Sequence, residues 1–241
     1  MKTSKPFLRI ILIIKLFAGT LHQSVAQQQI QLRMDTETLK QGSVIRSSAN
    51  IFFDAAKGTM ITHRLEPVEH YVITNHKGEA KFYFVARNEA MIKRGQHFST
   101  SENILVYFLS GNVDDMGLNE FGYNPVSTRR DANLLISRWE PAAALESSYS
   151  AIELVHEDGL PIYIGYYVRH NREERLLKKI YYSHYQQFSD FDLPLQIVEF
   201  NYFPSGDSLV NRTRYSEIKT GRKSLGNLSN FKIPYDAKII E

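Results

Sequence analysis

The stretch VEHYVITNHKGEAKFYFVA, residues 68–86, decides how this chain folds. Its first seven residues are rich in β-branched and aromatic side chains, and Asn75-His76-Lys77-Gly78 then supplies turn chemistry. KFYFVA alternates after the turn, with Phe82 and Phe84 on one face and Tyr83 and Val85 on the other. That is a β-hairpin. Upstream, residues 51–54 and 59–64 flank Lys57-Gly58 and read as a second hairpin. Downstream, strands are expected at residues 152–156, 162–169, 176–183, 195–203 and 209–219. The separators are Glu157-Asp158-Gly159, residues 170–174, residues 190–194 and Pro204-Ser205-Gly206-Asp207. Short strands with regular turns and no intervening helices argue for an antiparallel meander and against βαβ units. Neither an internal repeat nor a low-complexity linker interrupts the run. Residues 27–241 are therefore expected to form one domain, mostly β with a few helices.

Several of these strands are apolar on both faces. Ile162, Ile164, Tyr166 and Val168 share one side of their strand, with Tyr163 and Tyr167 on the other. Val198, Phe200 and Tyr202 share a face opposite Ile197. An antiparallel sheet with one wet face alternates cleanly between apolar and polar residues. Here the second face needs its own apolar cover: a second sheet as in a sandwich, helices, or a ligand.

Helical material is confined to the middle of the chain. Ser99-Thr100-Ser101-Glu102 fits a capping box and leads into NILVYFLS, residues 103–110, ending at Gly111. Leu105, Phe108 and Leu109 would form one apolar stripe. A further short turn is expected over residues 114–121. The run ILVYFL is also readable as a strand, because short apolar runs are ambiguous.

The N-terminal residues read as an address. Met1 to Arg9 is basic, residues 10–21 (IILIIKLFAGTL) are apolar, and Ser24-Val25-Ala26 places small residues before Gln27. This is the three-part pattern of a secretory signal peptide at residues 1–26, with an uncleaved anchor as the alternative. The segment holds Lys2, Lys5, Arg9 and Lys15 and no acid, leaving 25 basic residues against the 26 acidic ones in the remaining chain. A near-neutral body argues against nucleic-acid binding, which needs a surface that neutralises phosphates. The chain has no cysteine, so disulfides, thiolate metal sites and thiol catalysis are excluded.

Catalytic motifs are missing. The histidines at 63, 70, 76, 97, 156, 170 and 184 show no metal-ligand spacing. No GxSxG elbow, phosphate loop or dinucleotide fingerprint occurs. Asp190, Asp192 and Asp207 occupy ordinary turn positions. No cofactor or metal is expected.

Taken together, the body resembles the LolA-like family of periplasmic lipoprotein carriers. Phe52-Phe53, then Gly58-Thr59-Met60-Ile61-Thr62-His63-Arg64-Leu65-Glu66-Pro67, resembles the family's paired strands ending in a proline. Val72-Ile73-Thr74-Asn75-His76-Lys77-Gly78 with Phe82-Tyr83 resembles its next hairpin, and residues 99–110 fall where the family places lid helices. Leu193-Pro194, Glu199-Phe200-Asn201-Tyr202, Gly206-Asp207-Ser208 and Tyr215-Ser216-Glu217-Ile218 resemble its closing strands. In residues 231–240 a Phe-x-x-Pro element precedes a short final strand, again as in the family. Two features depart from the pattern: residues 27–43 carry little helical periodicity, and residues 54–58 hold no arginine where the family ties down its lid.

The resemblance implies a single-domain unclosed antiparallel β-barrel, a curved sheet around an apolar cavity, capped by a helical lid. Its expected function is to bind acyl chains of lipoproteins or other lipids and shuttle them through the periplasm toward the outer membrane, without enzymatic activity. Inner- and outer-membrane partner proteins would load and unload a monomer. The residues expected to line the cavity are Phe53, Met60, Tyr71, Ile73, Phe82, Phe84, Ile164, Ile180, Phe200 and Tyr202, with Leu105 and Phe108 from the lid. Plain core packing is the alternative for each of them. A regulatory module that holds a membrane-anchored partner is the second functional reading.

Overall fold

The structure is a computed structural model that describes residues 29–100, 103–143, 145, 147–171, 173–221 and 226–240. The expected signal segment lies outside these residues, as do Ser101 and Glu102 of the expected capping box. The strands are β1 (Gln29–Lys40), β2 (Ser43–Asp54), β3 (Thr59–Glu66), β4 (His70–Asn75), β5 (Glu79–Phe84), β6 (Glu89–Arg94) and β7 (Tyr123–Asp131). They continue with β8 (Leu134–Pro141), β9 (Ala151–Glu157), β10 (Leu160–His170), β11 (Glu173–Gln187), β12 (Asp192–Tyr202), β13 (Ser208–Thr220) and β14 (Lys238–Ile240). The one α-helix among the described residues is α1 (Ile104–Leu109).

All fourteen strands form one sheet in the order β14-β6-β5-β4-β3-β2-β1-β13-β12-β11-β10-β9-β8-β7. Every pairing is antiparallel except that of β14, which runs parallel to β6. The outermost strands β7 and β14 do not pair, so the sheet is unclosed. Laid flat, fourteen strands would span roughly 60 Å at the usual strand spacing. Instead Ile30 on β1, Met60 on β3, Trp139 on β8 and Leu154 on β9 share one buried cluster. The sheet therefore curls, and its inner face carries the core.

The register fixes which side chains face inward. Leu32, Ile51, Thr62, Val72 and Phe82 are cross-strand neighbours on the inner face. Gln31, Phe52, Ile61 and Ile73 form the matching outer row. The outer face of β1–β6 has its own cover. Gly226 N–H donates to Gln31 Oε1 at 3.0 Å, and Phe231 stacks on Tyr71 with ring centres 3.6 Å apart. The chain then reaches β14, where Lys238 N–H donates to the Asn88 carbonyl at 2.9 Å. The C-terminal segment thus straps the outside of the sheet from β1 to β6.

Both expected hairpins are present, as β2–β3 and β4–β5, and the five downstream strands are β9 to β13. Strands β1, β6, β7 and β8 occupy stretches for which the sequence suggested no element. The expected helix is present but short. Its N-cap is Asn103, whose side chain accepts from Leu105 N–H at 3.0 Å, and not Ser99. Ser99 Oγ and Thr100 Oγ1 donate instead to the carbonyls of His76 and Gly58, fastening this segment to the two hairpin turns. At the other end Gly111 N–H bonds to Phe108 O and Asn112 N–H to Tyr107 O, with Gly111 at φ +66°. This paired arrangement stops a helix where a left-handed residue is available. The expected turn over residues 114–121 is present, organised by the Asp115 carboxylate accepting from Gly117 and Asn119 N–H groups.

Candidate ligand cavity on the inner face

Residues 103–122 lie across the inner face and supply its central cover. Leu105, Phe108 and Leu109 are buried, with Phe108 and Leu109 fully inaccessible. Phe108 meets Tyr182 edge-on at 5.1 Å between ring centres and also approaches Tyr185. Tyr107 lies directly over Gly117, where any Cβ would collide with the tyrosine ring. His156 on β9, almost fully buried, holds the far end of the segment through a 3.0 Å hydrogen bond between its Nε2 and Val113 O. The cover is thus pinned near the β2–β3 and β4–β5 turns at one end and to β9 at the other.

Beside this cover lies a cavity of about 390 Å³. That is within the range of small-ligand sites, roughly 300–1,000 Å³. Ile104, Tyr107, Met116, Leu118 and Phe121 wall it on the cover side, and Tyr123, Ile152 and Tyr166 on the sheet side. Leu145, Ser147, Ser148 and Tyr149 line its open rim. Hydrogen bonding between Tyr123 Oη and Ser147 Oγ ties that rim to β7. Burial pushes the Tyr166 hydroxyl well above the ordinary tyrosine range, with Tyr149 and Glu199 adding to the effect. The lining holds no acidic, basic or histidine side chain and is largely apolar.

From Tyr166 the floor turns polar along one row. Tyr166 pairs with Lys178 on β11, and Lys178 with Asn201 on β12. Lys178 Nζ lies 2.8 Å from Glu199 Oε2, and Asn201 and Asn211 donate to Glu199 Oε1 at 2.7 and 3.3 Å. Thr38 Oγ1 donates to Asn211 Oδ1 at 2.7 Å. Burial pushes the Glu199 carboxyl up, but the hydrogen bonds from Asn201 and Lys178 bring it below the ordinary glutamate range.

The twelve residues expected to line a cavity fall in three places. Phe53, Met60, Leu105, Phe108, Ile164 and Ile180 meet in the buried core under the cover. Phe82 and Phe84 also face inward, near the sheet's β6 side, where Phe82 meets Phe98 edge-on. Tyr71, Ile73, Phe200 and Tyr202 are on the outer face. Tyr71 is sandwiched there between His63 and Phe231, and Lys179 lies over the rings of Phe200 and Tyr202. None of the twelve lines the 390 Å³ cavity. One legible signal would have found part of it. Beside the stripe of Leu105, Phe108 and Leu109, Ile104 and Tyr107 form a second apolar pair three residues apart on the same helix.

Among the described residues no cluster of three or more histidine or acidic side chains could hold a metal, and no helix is long and apolar enough to cross a membrane. No protein-family model matches the chain, and no curated protein matches it in sequence. Solved structures do match in fold. A LolA superfamily protein from Nitrosomonas europaea superposes with a TM-score of 0.54 at 16% identity, covering 86% of this chain and 91% of its own. A putative outer membrane lipoprotein-sorting protein domain from Vibrio parahaemolyticus gives 0.55 at 12% identity, covering 84% and 89%. A DUF1329 family protein from Desulfovibrio piger gives 0.54 at 13% identity, covering 85% and 89%. At these identities the likeness concerns the backbone architecture, and on that ground the chain has the LolA-like fold.

Proposed function

We propose that this protein is an exported, periplasmic carrier that binds the acyl chains of lipoproteins or other lipids and shuttles them toward the outer membrane. The observation that carries the reading is the 390 Å³ cavity between residues 103–122 and the inner face of the sheet. An acyl chain gains about 0.8 kcal/mol per methylene removed from water, so roughly fourteen methylenes supply about 11 kcal/mol. Residues 103–122 bury Leu105, Tyr107, Phe108, Leu109, Met116 and Leu118, each worth about 1.5–3 kcal/mol, so the chain offsets a partial release of this cover and enters the cavity beside it. The helix and its flanking turns then act as a lid. No nucleophile, metal or cofactor is needed for this, and the function proposed is transport and not catalysis. The signal-peptide pattern at residues 1–26 and the lipoprotein-sorting description of the Vibrio neighbour support the compartment and the cargo class.

Lipid extraction and mass spectrometry of the purified mature protein test the proposal. The expected result is acylated species at up to one per protein. A protein that carries no acyl species, and takes up none when incubated with palmitoylated peptide, contradicts it.

A further inference from the structure

We propose that Lys178 and Glu199 form a head-group subsite at the inner end of the cavity, selecting acyl ligands with a neutral ester or amide head over free fatty acids. The proposal rests on the acyl-carrier reading and deepens it. Three observations place the subsite. First, the pair adjoins the cavity: Tyr166 lines that space, and Lys178 Nζ lies 5.7 Å from the centre of the Tyr166 ring. Second, the pair is only partly covered, with Lys178 and Glu199 side chains 27% and 25% exposed, so a ligand head can reach it. Third, the hydrogen-bonding capacity of the two partners is used unequally. Glu199 accepts from Lys178, Asn201 and Asn211, which leaves its carboxylate well satisfied. An ammonium carries three N–H groups, and one contact to Glu199 leaves Lys178 able to donate toward the cavity.

The chemistry selects the head. A half-buried ion pair gives little stability over apolar side chains of the same volume. Its position on the floor beside an apolar cavity is therefore better explained by recognition. A carbonyl oxygen of an ester or amide needs only a donor, which Lys178 supplies. A free carboxylate meets the same donor but also faces Glu199, a like charge at close range, and it must lose more hydration to enter. The chain would lie among Tyr107, Leu118 and Ile152, with its first carbonyl at Tyr166 and Lys178.

Calorimetric titration of the purified protein with N-palmitoyl ethanolamide and with palmitate, each below its micellar concentration, tests this. Wild-type protein should bind the amide at least about fivefold tighter. Glu199→Gln removes the like charge and leaves Lys178 cationic. Palmitate should then bind about tenfold tighter, with the amide unchanged within about twofold, so that the preference for the amide falls by at least about fivefold. Lys178→Met should weaken the amide by about tenfold. The double variant K178M/E199Q leaves no unpaired charge and decides the matter if a single variant fails to fold; it keeps only the hydration penalty on palmitate, so the preference for the amide should shrink by at least about twofold. Folded variants that keep the wild-type ratio of affinities overturn the subsite while the carrier reading stands. A wild-type protein that binds neither ligand overturns both.

Discussion

Truncating Phe108 to alanine separates a permanent core element from a displaceable lid. Phe108 is fully inaccessible and packs on Tyr182 and Tyr185 beneath residues 103–122. Phe→Ala at such a site costs about 3–5 kcal/mol, of which the edge-on aromatic contact is about 1. If the cover docks as its own unit, the loss of global stability cannot exceed its docking free energy, because beyond that point the segment simply undocks. The same docking free energy opposes ligand entry. Every 1.4 kcal/mol removed from the closed state therefore tightens acyl binding about tenfold, up to roughly a hundredfold for a loss of about 3 kcal/mol. Urea denaturation and palmitoyl-ligand titration on the same variant give both numbers. The expected outcome is lower stability with higher affinity. Affinity that falls with stability, or does not move while stability drops by the full 3–5 kcal/mol, refutes the lid.

Two other perturbations probe the frame. Asp54 is buried at the β2–β3 turn, where its carboxylate accepts from Gln29 Nε2 at 2.8 Å and pairs with Lys57 at 3.2 Å. Burial pushes this carboxyl up, but the bonds from Gln29 and Lys57 outweigh it and hold it below the ordinary aspartate range. The unfolded chain therefore binds the proton first on acidification; Asp54 stabilises the fold above the unfolded pKa, and the contribution is lost as pH falls through the lower folded one. Asp54→Asn should cost about 1–3 kcal/mol at neutral pH and flatten the acid limb of a thermal-unfolding profile; an unchanged acid limb contradicts this. Phe231→Ala should cost about 1–2 kcal/mol and open the C-terminal strap, seen as new proteolytic cleavage within residues 226–237. Protection equal to wild type would show that the stack on Tyr71 does not hold the strap.

The hairpins were legible because turn chemistry and period-two alternation coincide at Asn75-His76-Lys77-Gly78 and at Lys57-Gly58. Strand β1 shows the same alternation in Ile30, Leu32 and Met34, but it continues into Thr36 and Thr38, where the inner face is a polar trough and not a core. Edge strand β7 is exposed from Asn124 to Asp131 and contains Pro125, so it has no buried face to alternate with. The larger failure concerns direction. Alternation separates two faces of a strand without saying which one curls inward. Tyr71 is aromatic because Phe231, 160 residues later, stacks on it from outside, and Phe200 and Tyr202 have the Lys179 ammonium above them. Both covers are long-range or cross-strand features, invisible within the strand itself. The residues that wall the cavity come chiefly from the turns at 116–121, the first residue of β7 and the non-strand residues Leu145, Ser147, Ser148 and Tyr149, where no periodicity exists to read.

Trp139 offers the most direct reading of the hollow itself. It is the chain's single tryptophan, is buried on the inner face, and pairs across the strands with the cavity residue Ile152. Bromine quenches indole fluorescence only at near-contact distance, so titration with palmitoyl ligands brominated along the chain reports whether the tail enters. Saturable quenching at one ligand per protein, strongest for bromine far from the head, is the predicted result. Absence of quenching, or a decline that stays linear in ligand concentration, would contradict an acyl-binding interior.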